Sequence, residues 1–228
     1  MLNIFENSVG LLTGSKAPLA KRVYLNTTAG LVLVASVAAF VPNVFGYYST
    51  SKIALVSLIP VFVIPLLINS RSVIRGISNT AAYALFFGYA ACLGCILAPV
   101  AISYPIGKIA AAFGLTVVGF LFAVSQAKNI RTGDMKWVLY SMVGILAISL
   151  LNMFLRLTIL ELIICSLGIP ATIAMTSWQL SQVRNLDWYS GNDMTRLSIL
   201  LSLNMLINIV NLFMYILRLL DLVDNRKR

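Results

Sequence analysis

The chain has 228 residues, 60% of them hydrophobic and only 11% charged, with a formal net charge of +10. Ordinary soluble domains carry roughly 25% charged residues, so this composition excludes a water-soluble globular protein. There is no His, which removes the commonest general base and a favoured metal ligand. The basic residues flank apolar runs and form no stripe on one element, which argues against a nucleic-acid surface.

Seven stretches contain no charge at all: 23–51, 53–70, 76–107, 109–127, 137–155, 162–183 and 197–217. A helix needs about 20 mostly apolar residues to cross a hydrocarbon core about 30 Å thick. The expectation is an all-α membrane protein with seven transmembrane helices. It has one polytopic domain over 23–220, an N-terminal tail over 1–22 and a basic tail over 221–228. The first 22 residues lack the basic start, short apolar core and small-residue cleavage site of a signal peptide, so the first span is expected to carry insertion.

In chain order, the first span is expected over Thr28–Gly46, with Tyr24, Tyr47 and Tyr48 placed as interfacial aromatics. The second covers Ile53–Ile68 and holds Pro60 and Pro65, which predict a kink. Ala81–Val100 is the third, where Gly88 and Cys92 form a small-xxx-small face for close helix packing. Ile109–Val124 is the fourth, with Ala110 and Gly114 in a similar arrangement. The fifth, Trp137–Leu155, ends near Asn152. A very tight link then leads into the sixth, Leu157–Met175, which carries Glu161 and Pro170, so the two form an antiparallel hairpin. On the seventh, Leu197–Leu217, Asn204, Asn208 and Asn211 share one helical face.

Cys92, Cys95 and Cys165 all fall within apolar stretches. Cys92 and Cys95 spell C-x-x-C, but thiolates are disfavoured there, so all three read as small packing residues. Lys and Arg on alternate sides of the spans number 10 against 3, which predicts a cytoplasmic N-terminus. Arg218, Arg226, Lys227 and Arg228 argue the other way for the C-terminus if seven full spans are present, and leave its side open.

By the last span the chain resembles the Bax inhibitor-1 family. Arg196-Leu-Ser-Ile-Leu and Asn208-Ile-Val-Asn-Leu-Phe-Met-Tyr-Ile-Leu-Arg218 are similar to that family's S-I-L-x-A-L-x-L-Y-L-D-x-I-N-L-F followed by L-L-R. Further matches come in order: Arg22-Val-Tyr24, then Gly94-Cys-Ile-Leu-Ala-Pro99 beside G-L-S-L-S-P, then Ala112-Phe113 with Thr116 and Phe120. Thr132-Gly-Asp134-Met resembles T-K-R-D-L, and Asn152-Met-Phe154-Leu resembles N-I-F-L. The likeness spans roughly residues 20–220. It implies two three-helix layers around a central C-terminal helix. It also implies membership of a group that includes suppressors of cell death in intracellular membranes and bacterial inner-membrane relatives. A pH-controlled calcium leak is proposed for some members, and one bacterial branch associates with a membrane-anchored AAA protease. The short N-terminal tail and basic C-terminal end look like the bacterial members, which makes the cell inner membrane the expected location, or an organelle membrane if the source is eukaryotic.

The departures concern the family's paired acids. Where the last helix usually carries an acid this chain has Asn208. Where the sixth usually reads D-T-Q it has Ser177-Trp178-Gln179. Two carboxylates in a low-dielectric cavity repel, so one pKa rises and the pair senses protons. Asn and Ser do not titrate and offer calcium less charge. The nearest intramembrane acid is Glu161, which either reaches toward water or Arg156 or serves an ion path. Asn204, Asn208 and Asn211 either glue helices together or line a polar cavity. Asp187 and Asp193 read as solvated loop charges.

No H-E-x-x-H, no G-x-S-x-G and no embedded acid pair is present, so catalysis is not expected, nor is a cofactor. The candidate polar cavity or ion path is therefore Asn208, Ser177, Asn204, Asn211 and Glu161. The expected partners are the lipid bilayer, calcium ions and a membrane-anchored AAA protease. The two functional expectations are a calcium or cation leak with weakened or absent pH gating, and a non-conducting regulator or adaptor of a membrane complex.

Overall fold

The computed structural model describes residues 18–69, 77–127, 144–145, 147–149, 151–152, 155, 157–185 and 192–225. Among these residues there is helix and no strand. The longer helices are α1 (Pro18–Asn69), α2 (Asn79–Ser103), α3 (Ile106–Gln126), α4 (Thr158–Asn185) and α5 (Asn192–Asn225). All five are long and apolar enough to cross a membrane. That outcome follows from having no water to satisfy backbone groups in lipid, where a helix pairs all of its own.

α1 breaks where the first span is expected to end, at Gly46, and corrects only the connection expected after it. Its 52 residues include the first two spans, and residues 47–52, expected as a connection, are helical. At about 1.5 Å per residue such a helix would run roughly 80 Å, far beyond one bilayer. The break is a single residue, Gly46, at φ 71 and ψ 170, a conformation essentially restricted to glycine. The Thr50 hydroxyl, buried, donates to the Gly46 carbonyl at 2.6 Å, so its own proton is satisfied within the turn that follows the break. Beside the break, Lys52 Nζ lies 4.4 Å from the centroid of the Tyr48 ring, a cation–π contact suited to an interfacial aromatic. Helix also begins earlier than expected. Lys21 and Arg22, assigned to the N-terminal tail, lie in the first turns of α1, which opens with Pro18 at a position where a missing N–H costs nothing.

The chain forms two compact units. Among the described residues, the α1–α2 unit takes in 18–106 and 192–206, and the α3–α4 unit 107–185 and 207–225. α5 therefore contributes its first half to one unit and its second half to the other. Asp193, expected in a loop, falls in the first turn of α5, while Asp187 lies outside the described residues.

In the α1–α2 unit, α1 and α2 pack extensively. The close approach is at Gly94, where a Cβ would sit 2.7 Å from Val37 Cβ and 2.8 Å from the Val34 carbonyl oxygen. A second lies at Gly30, beneath the buried ring of Phe86 and near Leu206. The face expected to pack, Gly88 with Cys92, is not used in that way: Gly88 is exposed, and a Cβ there would meet nothing within 4 Å. The same holds for Gly114 in α3, while Ala110 is exposed. The start of α5 is tied to the start of α1 by Arg22 Nη1 donating to Thr195 Oγ1 at 2.9 Å and by the buried Ser202 hydroxyl donating to the Val23 carbonyl at 3.1 Å.

In the α3–α4 unit, Gly119 of α3 faces Leu212 of α5, and Gly168 of α4 faces the ring of Tyr215. Ile145, Ile164 and Ala171 form a buried cluster with Ile148 and Tyr215 packed against it. The expected fifth span, Trp137–Leu155, lies mostly outside the described residues, as does Arg156. Its described part is helical, and Asn152 Oδ1 accepts a bond from the Leu157 backbone N–H at 2.9 Å. This side chain stitches the end of that segment to the start of α4, which supports the tight link read from sequence.

Candidate functional site

The polar residues of the α3–α4 unit concentrate on α4 and on the facing part of α5. Thr172, Thr176, Ser177 and Gln179 of α4 are all buried, as are Asn208 of α5 and Thr116 of α3. Each hydroxyl donates to a carbonyl one turn back in its own helix: Thr116 to Ala112, Thr172 to Gly168, Thr176 to Thr172 and Ser177 to Ile173, at 2.7–2.8 Å. Back-bonding of this kind lets a hydroxyl enter an apolar interior with its proton satisfied. The oxygen keeps acceptor capacity.

One bond joins the two helices. Asn208 Nδ2 donates to Gln179 Oε1 at 2.9 Å, in a buried pair 29 residues apart in sequence. Gln179 belongs to the motif compared with D-T-Q, yet it is not among the candidate residues the sequence singles out. The signal that finds it is geometric: residues two apart on a helix point about 200° away from one another, so Ser177 and Gln179 cannot present the same face to Asn208. The structure turns Gln179 toward it and leaves the Ser177 hydroxyl bonded to Ile173.

The other candidates are placed as follows. Asn204, in the α1–α2 unit, is half-buried, and Asn211 is exposed. The three asparagines fall within about 60° of arc on α5, yet only Asn208 is covered. Glu161 sits in the first turn of α4, half-buried, and both it and Arg218 lie within electrostatic reach of the buried Cys165. All three cysteines are free thiols. Among the described residues no group of three or more His, Cys, Asp or Glu is arranged to hold a metal. What the seam offers is neutral: amide and hydroxyl oxygens that accept hydrogen bonds, and no group that takes up or releases a proton near neutral pH.

Membrane-length apolar helices enclosing a buried amide pair define a polytopic helical membrane protein. A family model described as "Inhibitor of apoptosis-promoting Bax1" matches residues 17–225, and the chain belongs to this Bax inhibitor family. It is 27% identical to the inner membrane protein YbhL of Escherichia coli K12 over 209 residues, covering 87% of this chain and 88% of that protein. An uncharacterized protein of Borreliella burgdorferi is 30% identical over 151 residues, and the match spans 65% of that protein's length, slightly under two thirds. An uncharacterized protein of Deinococcus radiodurans is 25% identical over 211 residues, 87% of each chain. The match to the family model takes in the whole of α1–α5, the buried seam included.

Proposed function

We propose that this protein is a multi-pass protein of the bacterial inner membrane that lets cations, calcium foremost, leak weakly and without a proton-operated gate. The observation that carries this reading is the buried Asn208–Gln179 pair, in which the amide of Asn208 stands where the family's last helix usually carries an acid and is bonded to a second neutral amide. Buried oxygens of Thr116, Thr172 and Thr176 extend the polar seam, but without charge they hold a hard cation weakly. A pair that binds no protons across pH 5–8 contributes no proton linkage. The burial of α5, more than half of whose membrane window lies inside the protein, supports the arrangement of two three-helix layers around a central last helix.

Calcium flux through purified protein in liposomes tests the reading. The expected wild-type flux is low and nearly equal at pH 8 and pH 6. Introducing acids should create a pH response, and the contact geometry adds a distinction. Asn208→Asp with Gln179→Glu puts two acids at residues already bonded to each other, while Ser177→Asp with Asn208→Asp restores the family's pattern. The contacting double should respond most, the Ser177 double less because that side chain lies on another side of α4, and each single acid least, because the raised pKa depends on the pair. A wild-type flux that rises steeply between pH 8 and 6 would assign the switch to another group, Glu161 first.

The second reading is a non-conducting regulator of a membrane complex. It is favoured by the same pair, since an amide–amide bond is what interhelical glue provides. A membrane-anchored AAA protease is the partner this reading expects, grasping the N-terminal tail. Crosslinking from residue 10 should recover it, and an empty pull-down beside a positive control removes the idea.

Topology follows from charge and geometry together. With the N-terminus in the cytoplasm, the tie between the starts of α1 and α5 sets the start of α5 on that side. A helix of 34 residues then carries the C-terminal tail to the other. An impermeant thiol reagent should label a Cys placed after Arg228 in intact spheroplasts and leave one at Ser15 unlabelled.

A further inference from the structure

We propose that Lys108, Asp221 and Asp224 form an electrostatic latch that holds the C-terminal turns of α5 against the start of α3. Lys108 Nζ lies 2.9 Å from Asp221 Oδ1 and 2.8 Å from Asp224 Oδ2, bridging residues 113 and 116 positions away in sequence. All three belong to the α3–α4 unit. The two carboxylates are three residues apart, one turn on the same face of α5, so a single ammonium reaches both.

Each of these charges is locally misplaced. Lys108 is the third residue of α3, at the end of a helix where the macrodipole disfavours a cation. Asp221 and Asp224 stand in the last turns of α5, where the dipole disfavours an anion, and as like charges one turn apart they also repel each other. Neither helix end is favourable alone, and bringing them together offsets the cost at both. Charges that break local rules and meet a tertiary partner of opposite sign mark a position held for a purpose other than helix stability. The cluster is also open to ions, with side-chain exposures of 23%, 32% and 44% for Lys108, Asp221 and Asp224. Its strength therefore falls as salt rises. Other charges toward this end of the unit are Arg218 of α5, on the turn before Asp221, and Glu161 of α4, both within reach of Cys165.

The consequence for transport rests on the leak reading above. Asn208 lies 13 residues before Asp221, roughly 20 Å along α5, so releasing the latch loosens α3 from α5 at the mouth of the seam. Spin labels on Cys at Gly107 and Val223, in full-length protein without its native cysteines and reconstituted in liposomes, report the latch directly. A Cβ added at Gly107 would meet nothing within 4 Å, and Val223 is exposed, so both accept a label. The expected result is one narrow distance distribution. It broadens between about 0.1 M and about 1 M salt, as the screening length falls from about 10 to about 3 Å. Lys108→Gln should lose the narrow peak, and Lys108→Asp with Asp221→Lys and Asp224→Lys should restore it, since each reversed charge then suits its own helix end. An unchanged distribution in Lys108→Gln overturns the proposal, as does failure of the reversed triple to recover the peak. If Lys108→Gln does not insert, the salt series on the wild type decides, and a salt-independent distance overturns the latch. Calcium flux in the same liposomes separates the two readings: a lost peak with unchanged flux keeps the latch and rejects its bearing on the leak, and a narrow, salt-sensitive peak in wild type without any flux keeps the latch and rejects the leak.

Discussion

The two units answer one problem in different ways. Lipid is as apolar as Leu, so there is no hydrophobic drive between helices in a membrane, and they must associate by close packing or by polar bonds. The α1–α2 unit has polar ties at the starts of α1 and α5, but α1 and α2 themselves meet by closeness. At Gly94 the backbone of α2 comes so near Val34 and Val37 of α1 that one added carbon would overlap both. The α3–α4 unit is held at named points by polarity, with Asn208 bonded to Gln179 and Lys108 to Asp221 and Asp224. A steric seam resists changes of volume and ignores charge. A polar seam does the reverse, and it can be given a proton-sensing group without being repacked.

The largest expected effect comes from attacking closeness. Gly94→Val should lower stability by about 3 kcal/mol, the upper end of ordinary overpacking costs, because the atoms in the way are a backbone oxygen and a branched Cβ. Thermal unfolding in detergent measures it, and a stable Gly94→Val variant would sink the steric account. Next is Gly46→Ala. No neighbour blocks a Cβ there, so its cost is backbone strain at φ 71 alone, about 1–3 kcal/mol.

Asn208→Leu breaks the polar seam and should cost about 1 kcal/mol, with about 1.7 as the upper value found for membrane hydrogen bonds. Adding Gln179→Leu should recover most of that loss, since no buried amide is then left without a partner. Additive losses in that double-mutant cycle would show the two amides to be uncoupled. A smaller loss, about 0.6 kcal/mol, is expected for Ser202→Ala, because the hydroxyl that bonds the Val23 carbonyl also bonds its own helix at Ser198. The smallest effect belongs to Gly88→Ala and Gly114→Ala, where an added carbon meets nothing within 4 Å. Both variants should melt with the wild type, and a marked destabilisation by either would return these glycines to the packed interfaces.

The pattern of right and wrong expectations has a physical basis. α2, α3, α4 and α5 are legible as spans because a charge-free run of membrane length has one low-energy environment. The break at Gly46 is legible as the end of the first span, but a glycine among Phe45, Tyr47 and Tyr48 does not announce a positive φ with helix resuming at the next residue. Small-residue faces mislead because spacing shows where another backbone could approach and not which one does. Gly88 and Gly94 look equally suitable, and only Gly94 is met by α1. The site is half legible. Asn208 stands out as an amide where the family has an acid, while motif position points to Ser177 and away from the true partner Gln179, two residues on and on another side of α4. The Lys108 latch cannot be read from sequence at all, since its carboxylates lie more than a hundred residues downstream.

The sequence by itself determined that this chain lives in a membrane as helices, that it belongs with the Bax inhibitor family's motifs, and that neutral residues stand at Asn208 and Ser177. Each of these depends on one residue or one run of residues against its solvent: hydropathy against lipid, or an amide that cannot ionise. Only the tertiary structure decided which glycine admits a neighbouring backbone, which α4 side chain meets Asn208, and which carboxylates hold Lys108. Those are properties of pairs, and in lipid, where apolar surface does not choose between partners, a pair is selected by fit and by hydrogen-bond geometry that exist only once the helices have come together.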